Sequence, residues 1–328
     1  MPANLKRWIL VSFKIAVSAT LLGYLFSKVD FEQVRVSLGK VSYWYLFLAA
    51  AVLILQAAAG AVRLSMVIKT ISSRIRLLPA LDIMFIGLFF NQTLPSSIGG
   101  DAMRIWRIRH HGFPLRAAIN SVLLDRLIAL VALALFMLLS YPILYRLVAY
   151  PLFRMAVVLA SLALIAGFAV LYYFRKIPRR FYGWRITEEI RHISSEAHLI
   201  ARTPGRGVKI ILLSLVMHAM TGMAIYEVAH GLGLSIGLLE CVVLTPPVSL
   251  LTVLPISMAG WGVREAGMVA ALAFAGVVTN DALMVSILFG LLLMLISIPG
   301  GVFWLYTHHH LQPDGSNQRI AGSAHHGT

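Results

Sequence analysis

Two stretches, 94-LPSSIGGDAMR-104 and 254-LPISMAGWGVR-264, share one skeleton at a separation of 160 residues. Each opens Leu-Pro, carries Ser at its fourth position and Gly at its seventh, and closes with Arg at its eleventh. Both interrupt strongly apolar sequence. Proline lacks a backbone donor and clashes with the preceding turn, so a helix cannot run through either stretch undisturbed. Unsatisfied backbone in hydrocarbon costs several kcal/mol per group, so such breaks survive at membrane depth only inside protein or beside a water-filled cavity.

The surrounding chain shows why membrane depth is the right setting. Of 328 residues, 59% are hydrophobic and only 12% charged, against about 25% charged in soluble domains. Apolar runs of about 20 residues, enough to cross ~30 Å of hydrocarbon, recur along the length. The net charge of +15 sits in short connecting loops: Lys69/Arg74/Arg76, Arg104–Arg116 and Lys176–Lys209. That is the positive-inside pattern of a multi-pass membrane protein, and no polar basic domain exists to bind nucleic acid. A single cysteine, Cys241, excludes a disulfide framework.

Spanning helices are expected at Trp8–Phe26, Tyr43–Ile68, Ala117–Tyr141, Leu152–Phe174, Val208–His230 and Ala282–Tyr306, with an amphipathic surface helix over Ile186–Ile200. The run 83–90 is too short to cross. The basic loops on both sides of it predict a segment that enters and returns. A second interrupted segment covers Leu238–Val278, where Pro246, Pro247 and Pro255 are each expected to break a helix. The fold class is therefore an all-α integral membrane protein of about seven to nine helical segments, two of them re-entrant, forming an inverted repeat. The membrane domain is expected over 1–306, with halves at about 8–141 and 152–306, and a polar disordered tail over 307–328.

A helix starting just after Leu-Pro presents free N–H groups and a positive dipole end, which suits a phosphate. Ser97 and Ser257 can cap or donate, Gly99, Gly100, Gly260 and Gly262 permit close approach, and Arg104 and Arg264 can grip an anion. Pro and Gly can equally serve close packing alone. Asp101, Asp125 and Glu265 are carboxylates in apolar surroundings, where each needs a base or a cavity. Arg104, Arg126 and Arg264 are the local bases, and Asp125/Arg126 reads either as a structural ion pair or as part of a site. Asn91, just before the first break, can bond backbone or substrate. Arg63 is expected to snorkel to the headgroups, and Asp82 to be solvated. No nucleotide loop, nucleophile elbow or metal-ligand spacing occurs, so no catalytic residue, metal or cofactor is expected.

Together, N-Q-T-L-P-S-S-I-G-G-D (Asn91–Asp101), D-R (Asp125–Arg126) and L-P-I-S-M-A-G-W-G-V-R-E (Leu254–Glu265) resemble the flippase-like membrane domain of lysylphosphatidylglycerol synthases. The resemblance implies a lipid translocase of the cell (inner) membrane with a cytoplasmic N-terminus. Its partners would be lipids with anionic headgroups, and lipid-biosynthesis enzymes are a further candidate. The aminoacyl-transferase domain of full-length synthases is not expected here. A non-transporting scaffold and a membrane-embedded lipid-modifying enzyme are the alternatives.

Overall fold

The computed structural model describes residues 41–72, 75–94, 97–176, 185–254, 257 and 259–311, with the isolated positions 20, 23 and 39. The expected first span, Trp8–Phe26, lies outside the described residues. So do Pro95, Pro255 and the tail from 312 onward.

Among the described residues there are eleven α-helices and no strand. They are α1 (Tyr43–Ile71), α2 (Leu77–Thr93), α3 (Ser97–His110), α4 (Leu115–Leu139), α5 (Tyr141–Leu147), α6 (Pro151–Tyr173), α7 (Arg185–Arg202), α8 (Arg206–Gly231), α9 (Leu238–Val253), α10 (Val263–Ala273) and α11 (Thr279–Leu311). Five stretches are long and apolar enough to cross a membrane: Tyr43–Ile71, Leu115–Leu139, Pro151–Lys176, Arg206–Gly231 and Thr279–Tyr306. The protein is thus a multi-pass membrane protein. Each interrupted segment resolves into two helices, and the short α5 was not foreseen.

Both interrupted segments fold as antiparallel helical hairpins. In the first, Arg107 Nε meets Asp82 Oδ2 at 2.5 Å, Arg104 lies over Gly87, and Gly100 lies over Asn91. The partner's number falls as the other's rises, so α2 and α3 run in opposite directions. In the second, Gly260 faces Thr252 and Gly267 faces Val248, so α10 doubles back along α9. With 17 and 16 residues, α2 and α9 are each about 25 Å long at 1.5 Å per residue, short of a full ~30 Å crossing.

The second break falls at Leu254, just before Pro255 as predicted, and not at Pro246 or Pro247. α9 runs straight through Pro246 and Pro247, and the chain leaves helix only at Leu254. The cost of the missing donors is contained because this stretch is inside the protein: Val243, Leu244, Thr245 and Pro246 are buried. A Cβ on Gly222 of α8 would lie 2.4 Å from Val242 Cα, so α8 presses directly against the donor-poor turn. Pro299 is likewise carried inside α11.

α11 ties the hairpins together. A Cβ on Gly290 would meet Arg264 of α10, and one on Gly300 would lie 1.9 Å from Phe85 O of α2. Aromatic edges reinforce the second contact, with Phe85–Phe303 and Phe90–Trp304 centroids at 6.3 and 5.5 Å. α7 is the expected amphipathic helix, slightly longer than predicted, and lies outside the spanning stretches. It is held by Arg116–Glu189 at 3.0 Å and by Ser194 Oγ, which donates to Tyr172 O at 3.0 Å.

Candidate functional site

α1, α2, α3, α4, α8 and α11 converge on a cavity of about 270 Å³. That is just below the ~300 Å³ of small-molecule pockets, room for one small polar group. Its polar lining is Gln56, Arg63, Asn91, Arg104, Asp125 and Arg126. Asp125 is ten residues into α4, about 15 Å from the helix start, or half the thickness of the hydrocarbon.

Arg63 does not snorkel. It is 6% exposed because its Nε and Nη2 donate to Asp125 Oδ1 and Oδ2 at 2.8 and 3.1 Å, and Nη1 donates to Ser214 Oγ at 3.1 Å. This fork joins α1, α4 and α8. Removing one partner of such a pair costs about 3–5 kcal/mol, since the other charge is left buried alone. Arg126, the neighbour Asp125 was expected to use, turns instead to α3: its Nε lies 2.8 Å from Asp101 Oδ2. Successive residues on a helix point about 100° apart, so a D-R pair serves two different neighbours more readily than itself. Asp82, expected in solvent, is paired with Arg107.

Arg104 is placed differently. It is 7% exposed, with Nη1 3.6 Å from Asp101 Oδ1 and Nη2 donating to the Met84 thioether at 3.0 Å. Its buried Nε has no hydrogen-bond partner. A guanidinium carries five donors, and here they meet one shared carboxylate and a weak sulfur acceptor. The Asn91 Oδ1 is also buried without a partner. Two glycines make this geometry possible: a Cβ on Gly87 would sit 2.2 Å from Arg104 Nε, and one on Gly100 2.2 Å from Asn91 Oδ1. Gly87 and Asn91 are one turn apart on α2, so the underused cation and the underused amide occupy adjacent levels of one seam. Gly99 packs on Leu94 at the break, and Ser97 opens α3.

The second repeat is organised otherwise. α10 begins eight residues after Pro255, behind a loop in which Ala259, Gly260 and Gly262 have φ of 48°, 82° and 86°. The helix start is not open: Gly262 N–H donates to Glu265 Oε2 at 2.5 Å. Arg264 donates through Nε and Nη2 to Glu265 Oε1 at 3.0 and 2.6 Å, and its guanidinium lies 4.5 Å from the Trp261 ring centre. Ser286 Oγ of α11 reaches the same carboxylate at 3.4 Å. Glu265 is 0% exposed and Arg264 5%. Ser257 is buried and its Oγ has no partner. None of Ser257, Gly260, Gly262, Arg264 or Glu265 lines the central cavity.

The structure therefore gathers Asn91, Arg104, Asp125 and Arg126 around one hollow, with Asp101 attached through Arg126. In the second repeat Gly262, Arg264 and Glu265 form a separate, internally neutralised cluster, and Ser257 and Gly260 also lie off the cavity. Gln56, Arg63 and Met84 were missed as cavity residues. The signal was present: Gln56, Gly60 and Arg63 recur at i, i+4, i+7, one helix face carrying polar atoms through an apolar span. Glu240 accepts from Gly237 N–H at 2.9 Å and caps α9.

No curated protein matches the chain significantly. Residues 11–300 match the family described as lysylphosphatidylglycerol synthase TM region. With nearly all of the described helices inside that match, the chain belongs to the lysylphosphatidylglycerol synthase transmembrane-region family.

Proposed function

We propose that this protein is a lipid translocase that carries a phosphate-bearing headgroup through the central cavity while the acyl chains stay in the bilayer. The observation that carries the reading is Arg104, a buried guanidinium whose Nε has no hydrogen-bond partner and whose Nη2 meets only a thioether, lining a headgroup-sized hollow at mid-membrane depth. A buried charge with weak partners is costly in a static scaffold, and a bound phosphate would supply the acceptors it lacks. Arg126 and Asn91 line the same hollow, with Asp101 and Gly100 directly beside them. Arg264 and Glu265 serve in holding α10 against α11.

Topology supports transport. Three spans, α4, α6 and α8, lie between the two hairpins, so hairpins that each return to their own face enter from opposite sides. This is the inverted arrangement expected of alternating access. The loops around α2–α3 and the region from Arg175 to Lys209 are strongly basic, which supports a cytoplasmic side for them and for the N-terminus in a cell membrane.

The test is leaflet exchange in reconstituted vesicles carrying a fluorescent phospholipid, followed by bleaching of the outer leaflet. The wild type should raise the bleachable fraction above one half, and Arg104→Gln should abolish the rise while reconstituting normally. Equal exchange by both proteins would refute the reading. A chemically altered lipid after incubation would support a lipid-modifying enzyme instead.

A further inference from the structure

The charges around the cavity do more than indicate a phosphate. Three guanidiniums, Arg63, Arg104 and Arg126, stand against two carboxylates, Asp101 and Asp125, leaving one positive charge. Both carboxylates are already engaged. Arg63 takes both oxygens of Asp125. Arg126 Nε lies within 3.0 Å of both oxygens of Asp101, and Arg104 approaches the same carboxylate. Among the described residues, Asp125 is the one carboxylate that lines the cavity, with Asp101 just behind Arg126.

The remaining polar groups are uncharged amides. Gln56 Nε2 donates to Met217 O at 2.8 Å and Thr221 Oγ1 at 2.6 Å, which leaves its carbonyl oxygen as the group able to accept. The Asn91 Oδ1 has no donor. Amide oxygens accept from hydroxyls, and a phosphodiester accepts from Arg104.

We propose that the headgroup this cavity takes is a phosphodiester monoanion bearing hydroxyl groups, and that headgroups carrying an ammonium group are disfavoured. This inference rests on the cavity being the headgroup site. It runs against what the family description suggests, because a lysyl-bearing lipid brings two ammonium groups. Here those groups would face three guanidiniums with no carboxylate free to pair with them. A phosphodiester neutralises the excess charge; an ammonium adds to it in a region of low dielectric, where like charges repel strongly.

The test uses the full-length protein in neutral detergent, with displacement of a fluorescent phosphatidylglycerol by short-chain phosphatidylglycerol, phosphatidylethanolamine or lysyl-phosphatidylglycerol. Phosphatidylglycerol should compete about tenfold or more better than either ammonium lipid. Arg104→Gln should remove that preference, and Arg104→Lys should keep most of it. Gln56→Glu, which brings the carboxylates to three, should bring the ammonium lipids to parity even if the Arg104 variants fail to fold. If lysyl-phosphatidylglycerol competes as well as phosphatidylglycerol in the wild type, and both weaken in Arg104→Gln, the charge inference is overturned while the headgroup site stands. If no lipid responds to Arg104 or Gln56, both fall.

Discussion

Gly87→Ala separates the site from the fold. The added methyl would start 2.2 Å from Arg104 Nε, 2.7 Å from Cγ and 2.9 Å from Cδ. Ordinary contact lies near 3.5 Å, so the middle of the arginine side chain must move by about 1 Å or more. Nothing else about the change threatens the helix: Ala exceeds Gly in helix propensity by about 1 kcal/mol, which offsets part of the ~1–3 kcal/mol of overpacking. Stability should change by less than about 2 kcal/mol. A charge-assisted hydrogen bond to the headgroup, worth about 1.5–3 kcal/mol, should be lost or badly misaligned. That corresponds to roughly tenfold to a hundredfold weaker lipid binding. The assay pairs thermal unfolding in detergent with displacement of fluorescent phosphatidylglycerol. A folded Gly87→Ala protein that binds the lipid as tightly as the wild type would refute the placement of Arg104 at the headgroup.

Asp125→Asn should destabilise by about 3–5 kcal/mol, because Arg63 keeps its buried charge and loses its fork; thermal unfolding reads this directly. Gly300→Ala should also destabilise, by about 1–3 kcal/mol, since its methyl would start 1.9 Å from a backbone oxygen of α2, which cannot swing aside as a side chain can. Gly167→Ala, with open space around it, should be neutral or slightly stabilising in the same assay. On α7, burial pushes the Glu196 carboxyl above its ordinary range. A raised acid binds its proton more tightly when folded, so its penalty is absent below the ordinary value of 4.5 and grows as pH rises through the folded pKa. Glu196→Gln should therefore melt higher than the wild type at pH 8 and level with it near pH 4.

The membrane class, the re-entrant hairpins and α7 were legible because each rests on local pattern: apolar length, Leu-Pro-Gly punctuation, and periodicity of charge. Proline misled at Pro246 and Pro247, where burial against Gly222 on a helix distant in sequence outweighs a local signal. Asp101/Arg104 and Arg264/Glu265 pair as read, but the Asp125/Arg126 pairing fails for a similar reason. Asp125 and Arg126 are neighbours in sequence, yet their partners are 62 and 25 residues away, on α1 and α3. The repeat itself was read correctly as a pattern and too symmetrically as chemistry. Arg104 and Arg264 each lie over a glycine of a neighbouring helix, but only Arg264 is followed by a carboxylate, and that Glu265 neutralises it.

The most direct test is photocrosslinking with a phosphatidylglycerol whose reactive group sits on the headgroup glycerol, mapped by peptide mass spectrometry. The account predicts labelling of Gln56, Asn91 and nearby residues of α1–α4, reduced at least tenfold in Arg104→Gln. Labelling confined to the outer faces of α6 and α11, and unchanged by that substitution, would contradict it.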